Sequence, residues 1–212
     1  MTSSAISAQG SVLKIGTGSG AAKTITAVAI GNPTIFTSAA HGFANGDVVT
    51  MSGVTGVDAA LFNGLTFSVR DVTTNTFALK VDTTGKAITA TGTATSTTFT
   101  PIANIHDFSG FDGAASELDI TNLDSTAKEF RLGLTDPGQF TFNIDYDNNN
   151  AGHIALRSKQ VSGVISSFQL TLPNTNVVNF SAYVKKFSLQ GGVDALAKTA
   201  VDLRISGAVT GL

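Results

Sequence analysis

The stretch Gln139-Phe140-Thr141-Phe142-Asn143-Ile144-Asp145-Tyr146 alternates polar and apolar side chains without a break. In an extended strand, neighbouring side chains point to opposite faces, so Phe140, Phe142, Ile144 and Tyr146 form one apolar face and Thr141, Asn143 and Asp145 one polar face. A helix would scatter the same residues around its axis, so the segment is a half-buried strand. The same signal recurs on either side of it, in short β-branched and aromatic runs separated by Gly, Asn and Asp. Thr24–Ile30, Asp47–Met51, Thr66–Val72, Thr76–Val81, Ile165–Leu172, Val177–Leu189 and Ala200–Ala208 all read as strands. Pro173-Asn174-Thr175-Asn176 separates two of these runs with turn-forming residues and predicts a hairpin.

One segment has a different period. Asn148-Asn149-Asn150 offers helix caps, Ile154, Ala155, Leu156, Lys159 and Val161 follow at helical spacing, and Gly163 supplies a stop. The expected fold class is therefore mainly β, with one short α-helix packed on a sheet.

Composition narrows the function. The 212 residues carry 13 Lys+Arg against 15 Asp+Glu, a net charge of −2, with 13% charged and 42% apolar residues. A nucleic-acid binder would carry a basic excess, and a disordered chain would be charge-rich and apolar-poor. There is no cysteine, so a disulfide scaffold is excluded. No apolar run approaches the roughly 18 residues of a membrane helix. Met1–Ile6 has neither a basic nor an apolar region, so no signal peptide is expected.

The charge is unevenly spread. Thr24–Thr100 holds only Asp47, Asp58, Arg70, Asp71, Lys80, Asp82 and Lys86, and the remaining C-terminal part is richer in charge. The span lies between a Gly-rich stretch, Gly16–Ala22, and a Thr/Ala/Ser run, Thr89–Thr98, both of which read as linkers. This predicts a small β domain over 24–100 inserted into a discontinuous one made of 1–23 and 101–212.

Catalytic and ligand patterns are weak. Gly16, Gly18, Gly20, Lys23 and Thr24 imitate a phosphate loop, but Ala22 precedes the lysine and β-branched residues follow it where a helix is required. Asp145–Asn150 opens like a calcium loop, yet Asn150 stands where glycine belongs and Leu156 where glutamate belongs. A helix-capping turn is the simpler reading. His41, His106 and His153 share no metal-ligand spacing. Glu117 and Asp119 fall on one face of a strand, which a solvated surface explains without acid–base chemistry. No enzyme, cofactor or metal is expected.

From about Ile105 onward the chain resembles the tail tube proteins of long-tailed bacteriophages. The resemblance runs through Glu117–Ser125, Glu129–Gly138, the alternating strand Gln139–Tyr146, the Asn-rich turn and helix, Phe168–Asn174, Val177–Leu189 and Asp202–Thr210. Within 24–100, the segments His41–Val49, Ser52-Gly53-Val54, Asn63-Gly64, Phe67-Ser68-Val69 and Asn75-Thr76-Phe77 resemble a small β-barrel module inserted in phage tail and baseplate proteins. Phe43, Val49, Phe67, Val69, Phe77 and Leu79 would fill its interior.

The resemblance implies a tail-tube-type β-sandwich or barrel subunit of the virion tail. Such subunits form hexameric rings that stack head to tail around a channel through which DNA passes without specific binding. The implied partners are further copies of the chain, a tape-measure protein, and tail terminator and initiator proteins. Asp107, Asp112, Glu117 and Asp119 are expected to line the channel. The loop Thr121–Lys128, with Thr121, Asn122, Asp124, Ser125 and Lys128, and the arm Met1–Gly10 are expected to reach neighbouring rings. An insert outside the tube would collide with a contractile sheath, which favours a non-contractile tail. The alternatives are a tube protein of a related contractile injection or secretion system, and a carbohydrate-binding adhesin.

Overall fold

A computed structural model describes residues 5–89 and 91–211. Met1–Ser4, the start of the expected inter-ring arm, lie outside the described residues.

Twelve strands form one long antiparallel sheet, and two more form a separate hairpin. The strands are β1 (Val12–Thr24), β2 (Ala27–Ala29), β3 (Thr34–Thr37), β4 (Val48–Ser52), β5 (Thr66–Arg70), β6 (Thr76–Leu79), β7 (Thr93–Pro101), β8 (Ile105–Gly110), β9 (Ala115–Asp119), β10 (Phe130–Thr135), β11 (Gln139–Asp145), β12 (Ser166–Thr171), β13 (Val177–Gln190) and β14 (Lys198–Ile205). The large sheet runs β2-β3-β6-β5-β4-β7-β1-β12-β13-β14-β11-β8, and β9 pairs only with β10.

The alternating stretch forms β11 with the expected facing. Phe140, Phe142 and Ile144 are buried, while Asn143 is exposed. The hairpin at 173–176 also forms, joining β12 to β13 in antiparallel register. The helix α1 (Ala151–Ser162) starts at Asn150, whose side-chain oxygen accepts from the amides of Gly152 and His153. It ends at Gly163 in the left-handed region, with φ of 65°.

Two separate cores hold the chain. The first joins Leu13, Ile15, Phe140, Phe142, Ile144, Leu156, Phe168, Phe180, Val201 and Leu203 among others. The sheet curls around it far enough that Phe111, beyond β8, packs edge-on against Phe180 of β13 at 5.3 Å between ring centroids. The second core holds Phe36, Phe62, Met51 and Ala94 together with the six residues expected to fill the insert, of which Phe67 is half-buried at its margin. Its aromatic centre is a cluster in which Phe36 meets Phe62 edge-on at 5.1 Å and stacks on Phe77 at 5.8 Å. Burying a phenylalanine fully contributes about 1.5–3 kcal/mol, so each cluster is a substantial stabilising unit.

The two expected linkers require correction. Gly16–Ala22 lies inside β1, and most of Thr89–Thr98 lies inside β7, and these strands pair along most of their length. They form a bulged ribbon that carries the sheet from one core to the other. The glycines serve close approach here. A Cβ at Gly16 would lie 2.9 Å from Thr97 Cγ2, and one at Gly20 only 2.4 Å from Ser96 Oγ. A Gly/Thr/Ser-rich stretch has the composition of a flexible linker because it lacks large apolar residues, yet small residues are what two tightly apposed strands require.

A polar clamp adds a second connection between the cores. The Gln169 amide donates to the Gly46 carbonyl at 3.4 Å and to Asn179 Oδ1 at 3.1 Å. The Asn179 amide donates to the same carbonyl at 3.3 Å and to Ser68 Oγ at 3.0 Å. Both side chains are buried, and these bonds offset the cost of taking them out of water.

Candidate assembly and channel surfaces

The polar face of β11 is one row of a larger surface. Register places Tyr183, Arg204 and Gln139 side by side, then Lys186, Asp202, Thr141 and Ser109, then Ser188, Ala200, Asn143 and Asp107, then Gln190, Lys198 and Asp145. In these rows Lys186, Lys198 and Arg204 balance Asp107, Asp145 and Asp202, and exposed Lys185 stands beside them at the bulge of β13. Several of its charges are already engaged. Lys186 lies 4.0 Å from Asp202, His106 Nε2 lies 2.6 Å from Asp145 Oδ2, and Asn143 Nδ2 donates to Asp107 at 2.7 Å.

Among the described residues both lateral edges of this face are unpaired. β8 is the terminal strand of the large sheet. On the other side, β12 pairs only with Val177–Ala182, so the later half of β13 has a strand on one side alone. Unpaired N–H and C=O groups along a strand are a template for another strand. The second core contacts a different part of the molecule, the start of β13 and β12, where Gln169 and Asn179 donate to the Gly46 carbonyl.

Between β8 and β11 the chain makes a long excursion. It leaves through a joint at Phe111–Gly113 and Asp136–Gly138, and β9 and β10 then pair beyond it. The joint is tight. Asp112 Oδ1 accepts from the Gln139 amide at 2.9 Å, Asp136 Oδ1 accepts from the Gly138 amide at 2.9 Å, and Asp136 Oδ2 pairs with Arg204. A Cβ at Gly113 would lie 1.9 Å from the Asp136 carbonyl oxygen. The Gly138 amide, with the Arg204 guanidinium next, holds the Asp136 carboxyl below its ordinary 3.8. A depressed carboxylate stabilises the fold above its unfolded pKa and loses that contribution as pH falls through its folded one. Acidification below pH 3.8 is therefore expected to loosen this joint first, seen as loss of hydrogen-exchange protection at the Gly138 amide while the β11 and β14 amides stay protected.

The hairpin itself exposes large apolar side chains. Leu118, Leu123, Phe130, Leu132 and Leu134 are all more than half exposed, and Leu134 reaches 91%. Register puts Phe130 across from Asp119 and Leu132 across from Glu117, so one face combines an apolar row with an acidic row. Such an exposed apolar patch marks an interaction surface.

The expected channel acids do not share one surface. Asp107 lies on the open face of β8, Asp112 in the joint, and Glu117 and Asp119 on the hairpin. The hydroxyl and amide of Thr121 hold the Asp119 carboxyl below its usual range. The expected inter-ring loop caps the hairpin. There Asn122 Oδ1 accepts from the Asp124 amide, Ser125 Oγ accepts from the Asn122 amide and donates to Glu129, and Lys128 is exposed. The apolar residues around this loop were not singled out from the sequence, because alternating Phe130, Leu132 and Leu134 read equally as a core-facing strand.

The remaining motifs are structural. His41 is buried, with Nδ1 accepting from the Phe43 amide at 3.0 Å and Nε2 3.2 Å from the Thr76 carbonyl. His153 is buried against the Ala103 carbonyl at 2.9 Å. The loop at 145–150 serves the helix start, with Asp147 Oδ1 accepting from the Asn149 amide. Among the described residues no group of three His, Asp or Glu side chains is placed to hold a metal ion.

Comparison with known proteins adds a family. Residues 79–172 match the family of lambda-like phage tail tube proteins (TTP). The match begins at the end of β6 and ends just after β12, so it takes in the joint, the hairpin, β11 and α1. Similar solved structures include the tail of an empty gene transfer agent particle with C6 symmetry, 17% identical over 54% of this chain and 86% of that one, with a TM-score of 0.46. The virion of a native gene transfer agent particle is similar at 17% identity, 54% and 88% coverage, and the same TM-score. Comparison with curated proteins finds no match. Over residues 79–172 the chain is similar to the phage tail tube proteins.

Proposed function

We propose that six copies close into a ring by joining β8 of one copy to the later half of β13 in the next, and that rings stack head to tail into a tube that conducts DNA. The observation that carries this reading is the pair of free edges flanking one four-stranded polar face. Edge-to-edge pairing satisfies both rows of backbone groups and turns four strands per copy into a closed barrel. A heterologous contact between the two ends of the subunit then propagates as an open filament.

The polar face becomes the channel wall. Across its rows the cations are matched by carboxylates, and Thr, Ser, Asn, Gln and Tyr side chains fill the rest. A wall with so little basic excess releases few counterions on meeting phosphate, so DNA slides without being held. Asp107 belongs to this wall, with Asp145 and Asp202, while Asp112 sets the joint, and Glu117 and Asp119 meet the channel only at a ring junction. The loop Thr121–Lys128 and the hairpin beneath it make the inter-ring contact. A tape-measure protein would occupy the lumen before DNA, and terminator and initiator proteins would cap the free ends. The 24–100 segment forms an inserted domain on the outer side of the tube. Its few charges and many Thr and Ala side chains suit a neutral decoration.

Negative-stain microscopy of the purified chain at high concentration tests this reading. Six-fold rings and hollow tubes are expected, and a strict monomer would overturn it. Leu132→Asp sharpens the test. The side chain is 72% exposed, so the monomer should keep its stability to within about 0.5 kcal/mol. Tubes should be lost and single rings kept.

A further inference from the structure

Register places two exposed apolar tips at opposite ends of the channel-lining sheet. The β9–β10 hairpin leaves where Gln139 faces Arg204, and the turn from β13 to β14 leaves where Asp145 faces Lys198. The intervening strand is seven residues long, about 20 Å at the usual rise per residue. The far turn, Gly191–Ala197, presents Val193 at 95% and Leu196 at 67% exposure. A head-to-tail contact joins unlike ends, and these two tips are unlike ends of the subunit.

Their charges are complementary. The hairpin carries Glu117, Asp119, Asp124 and Glu129 against Lys128 and Arg131, a net charge of −2. Residues 185–198 carry Lys185, Lys186 and Lys198 against Asp194, a net charge of +2 within the segment itself, while Asp202 lies 4.0 Å from Lys186 and Asp145 is in register with Lys198. All of the charged side chains within the two segments are exposed. We propose that the apolar and acidic face of the hairpin, built on Leu132, Phe130, Glu117 and Asp119, docks onto the basic turn around Val193 and Leu196 of a second copy in the next ring. The proposal rests on the stacked-ring reading and names the surface that receives the hairpin. Apolar burial supplies the adhesion, and the opposite charges fix polarity, because hairpin against hairpin sets acid against acid.

The absence of cysteine permits a clean test. Leu132→Cys and Val193→Cys both fall on exposed positions, so neither should disturb the fold. Assembled tubes of the double variant should give a ladder of disulfide-linked chains under mild oxidation, while each single variant should stay monomeric on a non-reducing gel. A disulfide-linked dimer from L132C alone, or no ladder from double-variant tubes seen intact by microscopy, would overturn the docking surface and leave the stacked-ring reading standing. Failure of the unmodified chain to form rings or tubes would remove both. Charge reversal gives an independent readout. E117K/D119K should yield at least about tenfold fewer tubes, with rings retained, and adding K185E/K198E to the same chain should restore them. Equal tube yield from E117K/D119K and the unmodified chain would overturn the electrostatic part.

Discussion

Phe140→Ala is expected to destabilise the tube body by about 3–5 kcal/mol, a large share of the ~5–15 kcal/mol that holds a typical domain. Phe140 is fully buried at the centre of an aromatic cluster. Its ring meets Phe180 and Phe111 at 5.2 Å, Phe108 at 5.8 Å and Phe142 at 6.1 Å between centroids. Removing it takes a wall from all four neighbours, and the paired strands β14, β11 and β8 cannot collapse to fill the gap without breaking their register. Denaturant unfolding followed by hydrogen exchange should show the β11 and β14 amides opening early. The β3, β4 and β6 amides should stay protected, because their core shares no buried residue with this one. Loss of protection in both regions together would argue that 24–100 does not stand as a domain.

The reciprocal substitution is Gly92→Ala, with an expected cost of about 3 kcal/mol borne by the second core. Gly92 has φ of +102°, outside the region an alanine occupies without strain. A Cβ there would also lie 2.4 Å from the Ser52 carbonyl oxygen and 2.6 Å from the Gly53 carbonyl carbon. Both are backbone atoms at the end of β4, so no side-chain rotation relieves the clash. The Ile25 amide donates to the Gly92 carbonyl at 2.9 Å, so the distortion reaches the segment entering β2. The β4 and β5 amides should exchange faster, and tubes should still assemble if the insert lies outside the ring. Loss of tubes at unchanged body stability would place the insert within the assembly contacts.

Much of the fold was legible in local patterns. Alternation in Gln139–Asp145, the turn at Pro173–Asn176 and the asparagine cap before α1 each depend on neighbours within a few residues, where side-chain direction and backbone preference decide. Each formed as those preferences dictate. The long succession from Glu117 to Thr210 also carried the family likeness, since order along a chain needs no contacts.

Three things depended on distant contacts. Gly16–Ala22 and Thr89–Thr98 have the composition of linkers, and only their mutual pairing makes them strands, because small residues gain by close apposition what they lose in intrinsic preference. Asp107, Asp112, Glu117 and Asp119 all fall near strands that the resemblance places on the inner wall. The tight joint built by Gly113, Asp136 and Arg204 carries Glu117 and Asp119 off the sheet that holds Asp107. The four-stranded polar face was hidden for the same reason. Its charges come from β8, β11, β13 and β14, strands scattered over about a hundred residues and aligned only by register. Local preference depends on nearest neighbours and is written in composition and spacing. Which edges stay free, and which charges share a face, follows from how strands far apart in the chain come to lie side by side.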